Sequence, residues 1–158
     1  TWDKQSKQAG WINRANMFLG EFTHSLDSKA RLMIPAKYRE ELASTLVITR
    51  NPTEPCLLMF PMSRWTSFAD QIDSQSMIEP KVALLRRMMF SAAEDLRTDS
   101  QGRILMSQRL RDYAKIENDV VITGMYTYIE LWNPTLWEEK VLNQFGDVNA
   151  ELFSALNL

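Results

Sequence analysis

Asp27-Ser28-Lys29-Ala30-Arg31-Leu32-Met33-Ile34 returns 72 residues later as Asp99-Ser100-Gln101-Gly102-Arg103-Ile104-Leu105-Met106. The likeness extends outward in order. Lys37-Tyr38-Arg39-Glu40 aligns with Arg109-Leu110-Arg111-Asp112, and Val47-Ile48-Thr49 with Val121-Ile122-Thr123 after a two-residue shift. Phe60-Pro61-Met62-Ser63-Arg64-Trp65 then meets Trp132-Asn133-Pro134-Thr135-Leu136-Trp137, back at the first offset. Self-similarity at a fixed spacing marks a chain built from copies of one supersecondary unit. The 158 residues therefore read as two tandem copies of a small β-rich unit, an α+β protein with pseudo-two-fold symmetry.

Each copy reads as strand, tight turn, strand, short helix, hairpin and longer helix. Phe18, Phe22 and Leu26 mark the better-buried face of the first strand. The Asp-Ser-x-small start of each motif is turn chemistry, because an Asp side chain accepts from nearby backbone N–H groups and Gly102 tolerates positive φ better than Ala30. A β-hairpin is expected across each turn. Pro35 can begin a helix reaching Glu41, and Ser107 is the matching N-cap for a helix from Gln108 to Ala114. Val47 to Arg50 pairs with Cys56 to Phe60, and Val120 to Thr123 with Tyr128 to Trp132. Ser63 and Asn133-Pro134 open helices that carry Trp65 and Trp137 inward. The boundaries are then an extension or added remnant at 1–16, a first unit at 17–75, a linker helix at 76–91, a second unit at 92–145 and a tail helix at 146–158. In the linker, Leu84, Leu85, Met88 and Met89 form an apolar stripe opposite Lys81, Arg86 and Arg87; in the tail, Leu152, Phe153, Leu156 and Leu158 form another.

Composition leaves few parts for chemistry. Cys56 and His24 are each alone, so neither an internal disulfide nor a multi-cysteine zinc cluster can form, and Cys56 reads as a small buried hydrophobe. Phosphate-binding glycine loops and serine-hydrolase elbows are absent. Glu94 and Asp95, adjacent in a strand, point to opposite faces and make a poor acid–base pair. No enzyme and no cofactor are expected. The longest apolar run, Leu57 to Met62, is far short of the ~20 residues that span a bilayer, and no secretory signal opens the chain, so a cytoplasmic protein without membrane contact is expected. Net charge is −2, but it is polarised: residues 81–111 hold seven basic against three acidic side chains, and residues 112–158 hold two against eight. A local basic surface on a mildly acidic protein results.

Met17-Phe18-x-Gly20-Glu21, the run Leu26 to Arg39, Asp99-x-x-Gly102-Arg103, Val121-Ile122-x-Gly124, Glu130-Leu131-Trp132 and Trp137 together resemble the MraZ family over nearly all of Met17 to Lys140. That family is similar in fold to AbrB-type regulators, whose swapped-hairpin β units pair into a DNA-binding barrel. The resemblance implies a nucleoid-associated transcriptional regulator that assembles as a homo-oligomeric ring. It further implies binding to repeated boxes in double-stranded promoter DNA upstream of its own division and cell-wall gene cluster. Carried onto matching positions, it makes Arg31 the leading DNA contact, Lys29 its neighbour, and Arg103 and Gln101 their counterparts in the second copy. Ala30 departs from the glycine usual in the first motif, and uncharged Gln101 stands where the first copy has Lys29, so weaker phosphate contact is expected from the second site.

An arginine fork presented by a turn can take guanine O6 and N7 together, and a lysine adds phosphate attraction without base preference. Asp27 and Asp99 equally admit another role, pairing with the arginines to clamp the turn. The acidic last third and apolar tail also suit a non-enzymatic oligomeric interaction module.

Overall fold

The computed structural model describes residues 17–42 and 45–158; the stretch at 1–16, read above as an extension, lies outside the described residues. The elements run β1 (Glu21–Ser25), β2 (Arg31–Met33), a 3-10 turn (Ala36–Tyr38), β3 (Thr45–Arg50), β4 (Leu57–Pro61), α1 (Met62–Asp73) and α2 (Pro80–Ala92). They continue through β5 (Glu94–Arg97), β6 (Arg103–Leu105), α3 (Gln108–Ala114), β7 (Asp119–Gly124), β8 (Ile129–Trp132), α4 (Pro134–Lys140), a 3-10 segment (Leu142–Asp147) and α5 (Ala150–Ser154).

The expected hairpins β3–β4 and β7–β8 form, and they lie side by side through β4 and β8. The strands flanking the two Asp turns do not pair with each other as hairpins. β1 instead pairs antiparallel with β7 of the second copy, and β5 of the second copy pairs with β3 of the first. β2 and β6 pair only with one another. Each copy thus lends its first strand to the other copy's hairpin. The registers display the pseudo-two-fold directly: the 72-residue offset carries Arg31↔Leu105 onto Met33↔Arg103, and Leu32↔Ile104 onto itself. The expected barrel is not closed among the described residues. The larger sheet has the order β1-β7-β8-β4-β3-β5, open at β1 and β5, and the three-residue strands β2 and β6 are too short to bridge its edges.

Period-two alternation sorts the sheet's side chains onto two buried faces. Leu46, Ile48, Leu57, Met59, Val120, Ile122, Ile129 and Leu131 face a central core that also takes Leu32, Ile104, Tyr38 and Leu110. On the opposite face Leu58 and Phe60 pack with Ile72 and Met89 beneath α1 and α2, while Val121 and Trp132 pack with Trp137 of α4. Cys56 is fully buried beside the latter group, and burial pushes its thiol pKa upward, away from thiolate chemistry.

Helix ends follow local chemistry with four corrections. Ser107 caps α3 by accepting from Leu110 N–H, and Asn133 caps α4 by accepting from Thr135 and Leu136 N–H, as the sequence suggests. The helix expected from Pro35 to Glu41 contracts to a single 3-10 turn: Pro35 sits at the N-cap with no side-chain acceptor, and Tyr38 is buried with its hydroxyl donating to the Leu19 carbonyl at 2.6 Å. Helix α1 starts at Met62, after Pro61, without the Ser63 cap. The linker helix starts at Pro80 rather than residue 76, because Pro suits the first helical turn and Glu79 accepts from Lys81 N–H. Its last carbonyls are closed from β3: Arg50 Nη2 donates to Met88 O at 2.8 Å, and the Thr49 hydroxyl donates to Met89 O. Of its expected stripe, Met89 is buried, whereas Leu84 is exposed. The tail helix shortens to Ala150–Ser154, and Leu152, Phe153 and Leu156 remain exposed.

Gly124 has a packing reason. A Cβ there would lie 2.4 Å from the carbonyl carbon of Phe18, where the incoming chain bonds Tyr126 through both backbone partners. Gly124→Ala is expected to cost at least the upper part of the ~1–3 kcal/mol typical of overpacking, because the obstacle is backbone and cannot rotate away. A denaturant melt read against Gly146→Ala, whose added methyl meets nothing within 4 Å, measures the difference.

Candidate nucleic-acid interface

The two Asp turns are built alike, bond by bond. Asp27 Oδ1 accepts from the backbone N–H of Lys29 and of Arg31, both at 2.9 Å, and Oδ2 accepts from Arg31 Nε at 2.7 Å. Asp99 Oδ1 accepts from Gln101 and Arg103 N–H, both at 2.9 Å, and Oδ2 from Arg103 Nε at 2.8 Å. Backbone bonds close each loop: Ala30 N–H to Asp27 O and Asp27 N–H to Arg31 O in one, Gly102 N–H to Asp99 O and Asp99 N–H to Arg103 O in the other. The clamp foreseen for Asp27 and Asp99 is therefore present. It occupies the Nε of each guanidinium and leaves the Nη groups without a hydrogen bond to the turn's own aspartate.

Pairing of β2 with β6 sets both turns on one surface. Leu32 and Ile104 point into the core, so Arg31, Met33, Arg103 and Leu105 occupy the outer face, and Leu105 is 58% exposed. Reciprocal bonds from Ile34 N–H to Gly102 O and from Met106 N–H to Ala30 O extend the ribbon into each turn. Arg103 Nη1 also comes within 3.6 Å of Asp27 Oδ2, so Arg103 faces two carboxylates while Arg31 faces one. Lys29 and Gln101 are exposed and serve the turn only through their backbone N–H groups. Their difference therefore changes charge without changing turn geometry.

Two residues that the site reading omitted border the turns. Arg39 Nε donates to Ile34 O at 2.9 Å and lies against the second-copy turn, where a Cβ on Gly102 would fall 2.8 Å from it. Arg111 Nε donates to Met106 O at 2.9 Å and lines a cleft with Lys29 and Ala30 of the first-copy turn. The signal was in the repeat, which aligns Arg39 with Arg111. Among the described residues no three His, Cys, Asp or Glu side chains come together to hold a metal, and no helix is long and apolar enough to cross a membrane.

A family described as "MraZ protein, putative antitoxin-like" matches residues 17–88 and again 89–150. The chain is 46% identical over 131 residues to Transcriptional regulator MraZ of Herpetosiphon aurantiacus, which spans 83% of this chain and 90% of that one. It is 41% identical over 121 residues to the protein of that name from Thermomicrobium roseum, 77% of this chain and 84% of the relative. With its namesake from Roseiflexus castenholzii it shares 42% over 138 residues, 87% and 94% of the two chains. A tandem-unit α+β protein with paired Asp–Arg turns is thereby placed among known relatives. The chain belongs to the MraZ family.

Ala30 holds φ 58° and Gly102 φ 79°, both left-handed, a conformation that disfavours a side chain by ~1–2 kcal/mol. Ala30→Gly should raise the melting temperature, by a net roughly 0.5–1 kcal/mol after the entropy of glycine is subtracted. Gly102→Ala should lower it by more than the conformational cost alone, since Arg39 must move. Equal and opposite shifts would show that Arg39 does not press on the turn.

The Arg31 N–H bond, opposed by desolvation and reinforced by the Arg31 side chain and Lys29 N–H, lowers the Asp27 carboxyl from 3.8 to about 2. A depressed native value stabilises the fold fully above 3.8, and that contribution disappears as pH falls through about 2. Asp27→Asn keeps one acceptor for the two N–H groups but opposes Arg31 Nε with another donor. The variant should melt earlier at neutral pH, and its stability should fall less steeply than the wild type's between those pH values. Parallel pH–melting curves would sink this account.

Proposed function

We propose that this protein is a sequence-specific DNA-binding transcriptional regulator, acting as a homo-oligomeric ring on repeated boxes in promoter DNA. Those boxes include ones upstream of its own gene within a division and cell-wall cluster, and the protein is cytoplasmic and nucleoid-associated. The observation that carries the reading is the outer face of the β2–β6 ribbon. It carries two arginines whose Nε atoms donate to carboxylates on a narrow two-stranded element, with Nη1 of Arg103 also 3.6 Å from Asp27 Oδ2. A two-stranded ribbon fits the major groove of B-form DNA, and an arginine fork matches guanine there. The relatives' name, Transcriptional regulator MraZ, supports the same role. Arg31 is the leading base-contacting residue, Lys29 adds phosphate attraction, and Arg103 with Gln101 supplies the weaker equivalent.

Self-assembly is the natural use of the apolar tail, where Phe145, Val148, Leu152, Phe153 and Leu156 are each exposed. It also answers the charge problem. With a net charge of −2, one subunit neutralises few phosphates and binds weakly at physiological salt. Once one subunit of a ring is seated, its neighbour meets the next box at an effective concentration near ~mM, and avidity rises by roughly 10² to 10⁴. The same tail supports a second reading, a non-enzymatic oligomeric interaction module without DNA.

Arg31→Ala should remove ~1–3 kcal/mol of specific binding per engaged subunit, with a melting temperature lowered no further than by Asp27→Asn, which breaks the same clamp, and Arg103→Ala should cost less binding. Footprinting on the gene's own upstream region, followed by binding to one, two and three boxes at fixed salt, provides the measurement. Shifting one box by half a helical turn, ~5 base pairs, should abolish its contribution. Equal binding to one box and to three would overturn cooperative ring binding; absence of any footprint would favour the interaction module.

A further inference from the structure

We propose that Arg39 and Arg111 are phosphate-clamping residues that act in trans: each belongs to one half of the chain and serves the DNA-facing turn of the other half. The inference rests on the DNA-binding reading above, and adds to it two contacts and a division of labour between the copies.

Four observations lead to it. Both arginines occupy the same repeat position, and both are pinned by the same bond, Nε to the carbonyl that ends the short strand segment, Ile34 or Met106, at 2.9 Å. That bond orients the guanidinium without neutralising it, since a carbonyl carries no net charge. Neither residue forms an ion pair with an acid among the described residues, unlike Arg31 and Arg103, whose charges are offset by Asp27 and Asp99. Finally, each lies beside the opposite copy's turn, Arg39 over Gly102 and Arg111 in the cleft beside Ala30, which Lys29, Asp27 and Glu117 also line without either acid pairing with Arg111.

Chemistry divides the roles. A guanidinium held at Nε by a carboxylate has lost part of its long-range attraction for phosphate but gains orientation for reading a base edge. A guanidinium held at Nε by a carbonyl retains its full charge on an oriented fork, which suits bidentate contact with a phosphate. The glycine difference between the copies then has a consequence. Gly102 lets Arg39 lie directly on its turn, whereas the Ala30 methyl occupies the equivalent place in the first turn. There Arg111 stands beside an open cleft and its Nη2 donates to Gln108 Oε1 at 3.1 Å. Arg39 is the more firmly seated clamp, and Arg111 must leave Gln108 to engage.

The test is a salt titration of DNA binding by the full-length protein, using operator DNA and a scrambled duplex of equal length. Arg39→Gln and Arg111→Gln should each reduce the slope of log K against log salt by about one for every engaged subunit. Each should weaken operator and scrambled duplex by the same factor, leaving their ratio intact, whereas Arg31→Ala should collapse that ratio. In a double-mutant cycle, Arg39→Gln should couple with Arg103→Ala, which shares its turn, and combine additively with Arg31→Ala. Arg39→Lys, which restores charge, should restore most of the slope; it also carries the test if Arg39→Gln melts early through loss of the Ile34 bond. Wild-type slopes in the folded variants, loss confined to operator DNA, or coupling of Arg39 with Arg31 instead would each overturn the proposal. Failure of the wild-type protein to bind either duplex would instead remove the DNA-binding reading itself.

Discussion

Pairing of β2 with β6 is the constraint on which the rest depends. Only three residues of each strand take part, yet the pair fixes where both Asp turns lie and which side chains face outward. Leu32 and Ile104 sit opposite each other on the pseudo-two-fold and are buried in the central core, so a one-residue slip would exchange these apolar side chains for Arg31 and Arg103. The cost of burying two guanidinium groups makes such a slip prohibitive. Hydrophobic pattern and electrostatics therefore enforce one register, and the surface follows from it.

Exchange of strands between the copies explains why neither half folds as a separate compact unit in this arrangement. β1 completes the second copy's sheet and β5 the first copy's, while Tyr38, Leu42, Leu110 and Ala114 meet in one core. The functional surface inherits that interdependence. Arg39 reaches the second turn from the first copy, and Arg103 approaches Asp27 from the second. A mutation in one copy can therefore act at the other copy's turn, as at Arg39, which lies in the first copy and against Gly102 of the second.

Much of this was legible in the sequence because the repeat gives every local signal a second witness. The hairpins β3–β4 and β7–β8 and the Ser107 and Asn133 caps were readable from turn chemistry and alternation, while the Asp–Arg clamp stood as one of two open roles for Asp27 and Asp99. What was not legible was partner choice among strands. Asp27 to Arg31 closes a tight loop in either case, and nothing local in Phe22 or Leu26 says that β1 pairs with Val120 to Thr123 instead of β2. Helix lengths failed where tertiary contacts outweighed periodicity. Tyr38 is drawn down between Phe18 and Phe22, with ring centroids 5.4 Å apart on each side, which ends the first short helix after one turn. Arg39 and Arg111 were passed over because a charge in a helical segment reads as solvated surface until the opposing turn is seen beside it.

The carboxylates at the centre of a surface proposed to meet DNA look counterproductive, since each repels phosphate. Their effect depends on which cost dominates. A free arginine side chain loses up to ~2 kcal/mol of rotamer freedom on being held, and a misdirected fork contributes nothing to base discrimination. Asp27 and Asp99 remove that freedom before any ligand arrives, in exchange for part of the electrostatic attraction. The exchange favours recognition only if attraction is supplied elsewhere, and the neighbouring cations without acidic partners are placed to supply it. Charge for reach and clamped charge for reading are then separate properties of the same small surface, the combination that the proposed role requires of a protein of net charge −2.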